Sequence, residues 1–406
     1  MNTNWKIIAG IVGGGIVAAG IVIWLAYFNT PDFAPAQEQP PFGQSNIRAT
    51  TGVTVLPDAN GPGSAANGVL SSKKVFKIAD GPVAGATFVQ IFRPATSTIA
   101  RFVMATNGHA FDLVLDSPGA VPKAISNTTI PGIARVQWSE KGRGVLMQYI
   151  DVGAVKTVHF ALPAADATTT SPVRIRFLPA GITSFAISPD GANAAYLLKT
   201  ASGANGYTAR ADGADAKNIF SMPLSELLLS WPTEGTLFAQ TASAAGIPGV
   251  VFSIDAKTGA YAPLLYAQGL TSTANRSLSH IIYQTISDTR STYSQNLKTG
   301  LSTPLSFDPI PEMCKWSNAT STTLYCATPL AYVALNYLDL RHLGAASAPN
   351  SLLSFDLSKG RSNIVASPGG ADGGEQSDIV ELGVSPDDRY LLFIRSGDRS
   401  LWGVRL

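Results

Sequence analysis

The sequence predicts an all-β chain folded as a seven-bladed β-propeller, carried behind an N-terminal transmembrane helix. Three observations predict it. First, residues 182–198 (ITSFAISPDGANAAYLL) are two short apolar runs joined by a Ser-Pro-Asp-Gly turn, the pattern of an antiparallel hairpin. Second, the pattern recurs, with first-strand ends near Phe92, Trp138, Ile187, Trp231, Ala274, Trp316 and Val384. Their spacings are 46, 49, 44, 43, 42 and 68 residues. A blade of four strands with its turns needs about 40 to 50 residues, so the last interval carries an insertion. Third, residues 7–28 (IIAGIVGGGIVAAGIVIWLAYF) hold 22 positions without a charge. At about 1.5 Å per residue they reach about 33 Å, enough for a hydrocarbon core of about 30 Å.

Each element follows in chain order. Residues 1–6 are the short side of the membrane helix, and Lys6 with the amino terminus places that side in the cytoplasm and the remaining chain outside. Trp24, Tyr27 and Phe28 sit where an interfacial aromatic belt belongs, and Gly10-x-x-x-Gly14 offers a face for helix pairing. A cleaved signal peptide ending at Ala34-Pro-Ala36 is the competing reading, but secretory apolar regions run to about 7–15 residues, which favours a retained anchor. Residues 29–72 carry Pro31, Pro35, Pro40, Pro41, Pro57 and Pro62 among Gly, Ala, Gln and Asn, with little apolar periodicity; they read as a disordered linker.

From Lys73 to Leu406 the chain reads as short strands separated by turns. After Val384 only two further strands remain, Tyr390–Arg395 and Leu401–Leu406, so the last blade lacks its fourth. Lys74–Ile78 has fourth-strand character and precedes the first blade, so the N-terminal strand is expected to complete the C-terminal blade and remove an open edge. Turn counting alone leaves six or eight blades open, because Asn275-Arg-Ser in the fifth unit hardly matches the motif. The hairpins Ile187-Ser-Pro-Asp-Gly191 and Val384-Ser-Pro-Asp-Asp388, with Asp255-Ala-Lys-Thr-Gly259 and Leu297-Lys-Thr-Gly300, resemble the repeats of TolB-like and WD40-like propellers. Together with the anchor helix, Cys314-Lys-Trp316, Tyr325-Cys-Ala-Thr-Pro329 and Ser400-Leu-Trp402, they are similar to membrane-anchored propellers of candidate-phyla bacteria. The resemblance implies the fold and no activity, since propellers host binding scaffolds and unrelated enzymes alike.

Composition narrows the function. Charged residues are 14% of the chain against about 25% on average, and 29 basic against 27 acidic residues form no block of one sign. The electrostatic footprint of a nucleic-acid binder is missing. The two cysteines face each other across a predicted hairpin centred on Thr320, which pairs Cys314 with Cys326 and Trp316 with Leu324. Directly opposed positions suit a disulfide, and an exported domain would keep one. His109, His159, His280 and His342 share no ligand spacing, and Asp372, Glu375 and Asp378 in the Gly-rich loop 367–378 lack the ordered spacing of a calcium loop. No catalytic, metal or cofactor motif is present. Trp138, Trp231 and Trp316 recur at one blade position and read as packing between blades.

One segment departs from the repeat. Residues 329–344 (PLAYVALNYLDLRHLG) read as a helix with Thr328 as N-cap, Pro329 at its first position and Gly344 as its stop. It belongs on the same rim as the 367–378 loop. Tyr332, Tyr337, Arg341 and His342 are its candidate partner-binding side chains, because Tyr and Arg dominate interface energetics. The preferred reading is a scaffold that binds a protein or ligand at the cell surface and uses no cofactor. The alternative is an extracytoplasmic hydrolase or lyase with its site in the central channel. Charged side chains converging on that channel would favour the alternative; a sparse or apolar channel would favour binding. Mass spectrometry of the membrane fraction should find Met1–Lys6 still attached to the mature chain, and a mature N-terminus at Gln37 would overturn the retained anchor.

Overall fold

The computed structural model describes residues 73–92, 96–117, 119–139, 141–165, 173–369 and 376–406. The expected helix 7–28 and linker 29–72 lie outside them, and among the described residues no helix is long and apolar enough to cross a membrane. These residues form seven four-stranded antiparallel sheets, the blades of a propeller. Blade 1 is β2 (Val83–Ile91), β3 (Ser97–Met104), β4 (Ala110–Val114) and β5 (Lys123–Ala124). Blade 2 is β6 (Ile133–Trp138), β7 (Gly144–Asp151), β8 (Ala154–Ala161) and β9 (Arg174–Phe177). Blades 3, 4 and 5 run from Ile182 to Met222, Leu227 to Gln268 and Thr271 to Pro304 and comprise β10–β13, β14–β17 and β18–β21. Blade 6 is β22 (Cys314–Trp316), β23 (Thr323–Pro329), β24 (Asn350–Asp356) and β25 (Arg361–Ala366).

Blade 7 takes strands from both ends of the domain. β26 (Ile379–Val384), β27 (Tyr390–Arg395) and β28 (Leu401–Arg405) come from its C-terminus, and β1 (Val75–Ala79) supplies the fourth strand. β1 pairs antiparallel with β28, with Val75 opposite Val404 and Phe76 opposite Gly403. Gly403 is required there by close approach: a Cβ would stand 2.4 Å from the Phe76 ring. The ring covers the bare backbone, is itself 3% exposed, and lies under the Arg405 guanidinium at 4.6 Å. Burying such an aromatic contributes about 1.5–3 kcal/mol at the one joint that the chain does not close covalently.

Apolar cores form between adjacent blades. Phe76, Phe88, Phe102, Phe111 and Leu392 join blades 7 and 1, and Val103, Ile133, Met147 and Phe160 join blades 1 and 2. The same joints carry polar clamps. Arg101 on β3 is fully buried, with Nε and Nη2 each donating at 2.7 Å to the carboxylate of Asp112 on β4. Its Nη1 donates to the carbonyls of Gly142 and Pro163 in blade 2, at 2.7 and 3.0 Å. A buried ion pair is tolerable only when both partners are satisfied this fully. The turn Ser385-Pro386-Asp387 works similarly. Asp387 accepts from Ser385 at 2.7 Å and from Arg389 at 2.6 Å, while Arg389 reaches Asp116 of blade 1 at 2.9 Å. These bonds hold the Asp387 carboxyl well below the ordinary range, at about 2, despite the opposing effect of burial.

The insertion in blade 6 departs from expectation. The helix is α1, Tyr337–His342, shorter than the expected 329–344, with Asn336 at its N-terminal boundary making no side-chain cap bond. Thr328 and Pro329 belong instead to β23, opposite Ser351 and Asn350, and the Leu330 N–H continues the pairing to the Pro349 carbonyl at 2.9 Å. Pro329 lacks a donor, which a strand end tolerates as readily as a helix start. Long-range pairing therefore overrides the local helix signal. Deleting residues 73–79 should expose the edge of β28 and broaden thermal unfolding, whereas deleting 30–56 should leave the melting temperature nearly unchanged. Equal effects in calorimetry would contradict the assigned closure.

Candidate functional site

A cavity of about 590 Å³ opens on the inner strands of blades 1, 2, 6 and 7, beneath α1. Strand alternation decides what enters it. On β22, Cys314 and Trp316 are buried on one side, so Lys315 between them projects to the other, into the cavity. Cys314 and Cys326 are joined as a disulfide across directly opposed positions, which fixes this three-residue strand to β23. On β6, Arg135 lines the cavity, with its guanidinium 5.0 Å from the ring of Phe185 in blade 3. On β26, Glu381 stands beside Arg399, with Nη2 and Oε1 3.6 Å apart. Arg399 also donates to the carbonyls of Val83 and Ala84, each at 3.1 Å, so it fastens blade 7 to blade 1 while balancing Glu381. Gly85 leaves room on the blade 1 side: a Cβ there would lie 2.9 Å from Val136 and 3.5 Å from the Glu381 carboxylate.

The insertion forms the cavity's upper wall and is pinned at three points. Asp339 accepts from the Ala245 N–H at 3.1 Å. Arg341 pairs with Asp378 and donates to the Ile379 carbonyl at 2.6 Å and to the Tyr337 hydroxyl at 3.0 Å. His342 Nε2 meets Glu312 at 2.8 Å, and Glu312 also accepts from Thr271 at 3.2 Å. These contacts tie α1 to the Ala245 loop, the 3-10 turn Pro311–Met313 and the start of β26.

Protonation follows from this placement. Lys315 and Glu381 both keep solvent-exposed side chains, but the protein crowded around the cavity disfavours their charged forms. It pushes the Lys315 ammonium below the ordinary lysine range, opposed by Glu381, and raises the Glu381 carboxyl against the pull of Arg399 and Lys315. Arg135 is likewise lowered by burial. His342 is raised by its hydrogen bond to Glu312.

Of the four candidate partner-binding side chains, the structure brings Tyr337, Arg341 and His342 together and leaves Tyr332 apart. Tyr337 is 5% exposed and packs under Arg341; Arg341 and His342 line the cavity. Tyr332 is 83% exposed, with Arg290 5.7 Å from its ring. In the 367–378 loop, Asp378 is the partner of Arg341, whereas Asp372 and Glu375 lie outside the described residues. Among the described residues no group of three His, Cys, Asp or Glu could hold a metal ion. Sequence reasoning missed Arg135, Lys315, Glu312, Glu381 and Arg399. The available signal was a charge in the middle of a short apolar inner strand, as in Cys-Lys-Trp and Val-Glu-Leu.

The His342–Glu312 pair gives a pH signature. Because the folded pKa of His342 is raised above the ordinary value of about 6.5, its stabilising contribution is complete below that value and is lost as pH rises through the folded pKa. Urea unfolding of the natural chain and His342→Gln should therefore differ most near pH 5.5 and converge by about pH 9. A gap that widens with pH would contradict this pairing.

No protein-family profile matches this chain, and no curated protein does. Solved structures do resemble it. A chain from the mitotic checkpoint complex shares 13% identity over 89% of this chain and 99% of its own, with a TM-score of 0.51. The Cps50 (Swd1) β-propeller domain of Myceliophteria thermophila shares 11% over 82% and 99%, also at 0.51. TolB from Acinetobacter baumannii shares 10% over 74% and 61% at 0.41, too low to carry an argument. At these identities the likeness shows the fold alone: the chain is a β-propeller.

Proposed function

We propose that this chain is a binding propeller whose site is the cavity under α1, and that it takes a small polar molecule there while displayed outside the cell behind a membrane anchor. Three blades and the insertion deliver Arg135, Lys315, Glu381, Arg399, Arg341 and His342 to one space of about 590 Å³. An enzyme needs such convergence too; what carries binding is that four of the six are held in ion pairs, Arg341 with Asp378, His342 with Glu312 and Glu381 with Arg399. The volume lies within the range of small-molecule sites, and the lining is rich in charge, with Arg135, Glu312, Lys315, Arg341, Glu381 and Arg399. Support for the cellular address comes from the sequence, in the uncharged run 7–28 and in a cysteine pair suited to an oxidising compartment. A surface role for the insertion rests on Tyr332, since Tyr337 is packed and Arg341 and His342 belong to the cavity wall.

An enzyme of hydrolase or lyase type in the same cavity is the second reading. It is favoured by the converging charges and by the opposite directions in which the surrounding protein moves two of them, Lys315 downward and Glu381 upward. One experiment serves both readings. The purified chain, incubated with an extract of water-soluble metabolites, should retain one or a few compounds that mass spectrometry identifies. Ala134→Trp, which fills the cavity from an open position on β6, should lose them without a change in melting temperature. Retention unaffected by the bulky side chain would place binding elsewhere. Recovery of a chemically altered compound supports the enzyme, and full recovery unchanged argues against it.

A further inference from the structure

We propose that the cavity selects small oxyanions, carboxylates or phosphate esters, with Arg135 and Lys315 as the pair that holds the anionic group; this rests on the cavity being the binding site. The charges of the lining do not balance. Four Lys or Arg side chains, Arg135, Lys315, Arg341 and Arg399, face two glutamates, Glu312 and Glu381. Most of these groups are already matched. Arg341 is held by Asp378 and the Ile379 carbonyl. Glu312 is matched by His342, and Glu381 by Arg399, whose Nε and Nη2 also donate to the carbonyls of Val83 and Ala84.

Arg135 and Lys315 are left over. Neither forms an ion pair or hydrogen bond with a described residue; the one contact of Arg135 is the face of Phe185, and the one acidic influence on Lys315 is a Glu381 already shared with Arg399. A guanidinium cannot shed its proton, so Arg135 stays a half-buried cation whose only charge compensation within the cavity wall is the Phe185 ring until an anion arrives. Its planar fork fits a carboxylate or phosphate through two parallel bonds, and an ammonium adds a third donor without directional demand.

On the same strand Trp138 Nε1, a donor, is buried without a hydrogen-bond partner, and Trp138 borders the cavity three residues from the unmatched guanidinium. A cationic ligand would have to displace the partners of Glu312 and Glu381, and a neutral one would leave two cations unmatched. A folded macromolecule does not fit the volume. The class that completes the inventory is a compact anion, with the glutamates available to accept from its hydroxyl or amino groups at the edges.

The test uses the full chain with inorganic phosphate, citrate, glucuronate and glucose 6-phosphate as probes, and glucose and arginine as neutral and cationic controls. At least one oxyanion should raise the melting temperature in a saturable way and bind in calorimetry, and glucose and arginine should not. Arg135→Gln and Lys315→Met should each weaken that binding tenfold or more, while Lys359→Met on the exposed turn before β25 leaves it unchanged. Ala134→Asp places a carboxylate beside Arg135 without removing either cation; it should weaken oxyanion binding by a similar factor and keep the chain folded. Oxyanion binding that ignores all three cavity variants overturns the proposal, as does the absence of a shift with every oxyanion. A shift with glucose or arginine alone, abolished by Ala134→Trp, overturns the anion preference while the cavity reading stands.

Discussion

Pairing of β1 with β28 is the constraint on which the other interfaces depend, because each blade buries its faces only against two neighbours. With β1 in place, the Phe76 core joins blade 7 to blade 1, and Arg399 can reach the Val83 and Ala84 carbonyls from the blade 7 side. Without it, β28 would end the sheet as an unpaired edge and Gly403 would lose the ring that covers it. The geometry of the cavity is thus subordinate to the seam: β2 and β26, two of its four walls, meet where the ring closes.

The insertion is better understood as part of that architecture than as an appendage. A six-residue helix has little stability of its own, so α1 depends on its attachments. Two side chains, Tyr337 and Leu338, are buried in the apolar core with Met313, Ala327 and Leu391, and polar attachments come from separate parts of the ring: the Ala245 N–H, Glu312 and Asp378. The side chains that a composition argument marks as interface anchors are therefore largely consumed in holding the helix over the cavity. Tyr337 and Arg341 illustrate this, since each is the other's neighbour and neither presents a free face.

Much of the architecture was legible because strand signals repeat. Trp138, Ile187, Ala274, Trp316 and Val384 end inner strands as the turn motifs indicate, and the missing fourth strand after Leu406 pointed to its replacement near Lys74. The pairing of Cys314 with Cys326 followed from hairpin register, and that register also determines which way Lys315 points. What could not be read was convergence between blades. Arg135, Lys315 and Glu381 are far apart in sequence, and each alone resembles an ordinary exposed charge in a strand. Only the ring brings them into one space. The length of α1 was illegible for the opposite reason: Thr328-Pro329 satisfies the local chemistry of a helix start, and the decision belongs to Asn350 and Ser351 across the sheet.

The seam has a consequence for synthesis. Val75 is among the first residues of the domain to leave the ribosome and Val404 among the last, yet they are opposite each other in one ladder. Blades 1 to 6 can assemble in order as their strands emerge, each from contacts local in sequence, but Phe76 has no partner until the last strand of the domain has emerged. For that interval the nascent chain carries an apolar strand awaiting its sheet. The flanking charges Lys73, Lys74 and Lys77, set against Val75, Phe76 and Ile78, are the kind of residues that keep such a strand from pairing with the wrong neighbour before the right one exists.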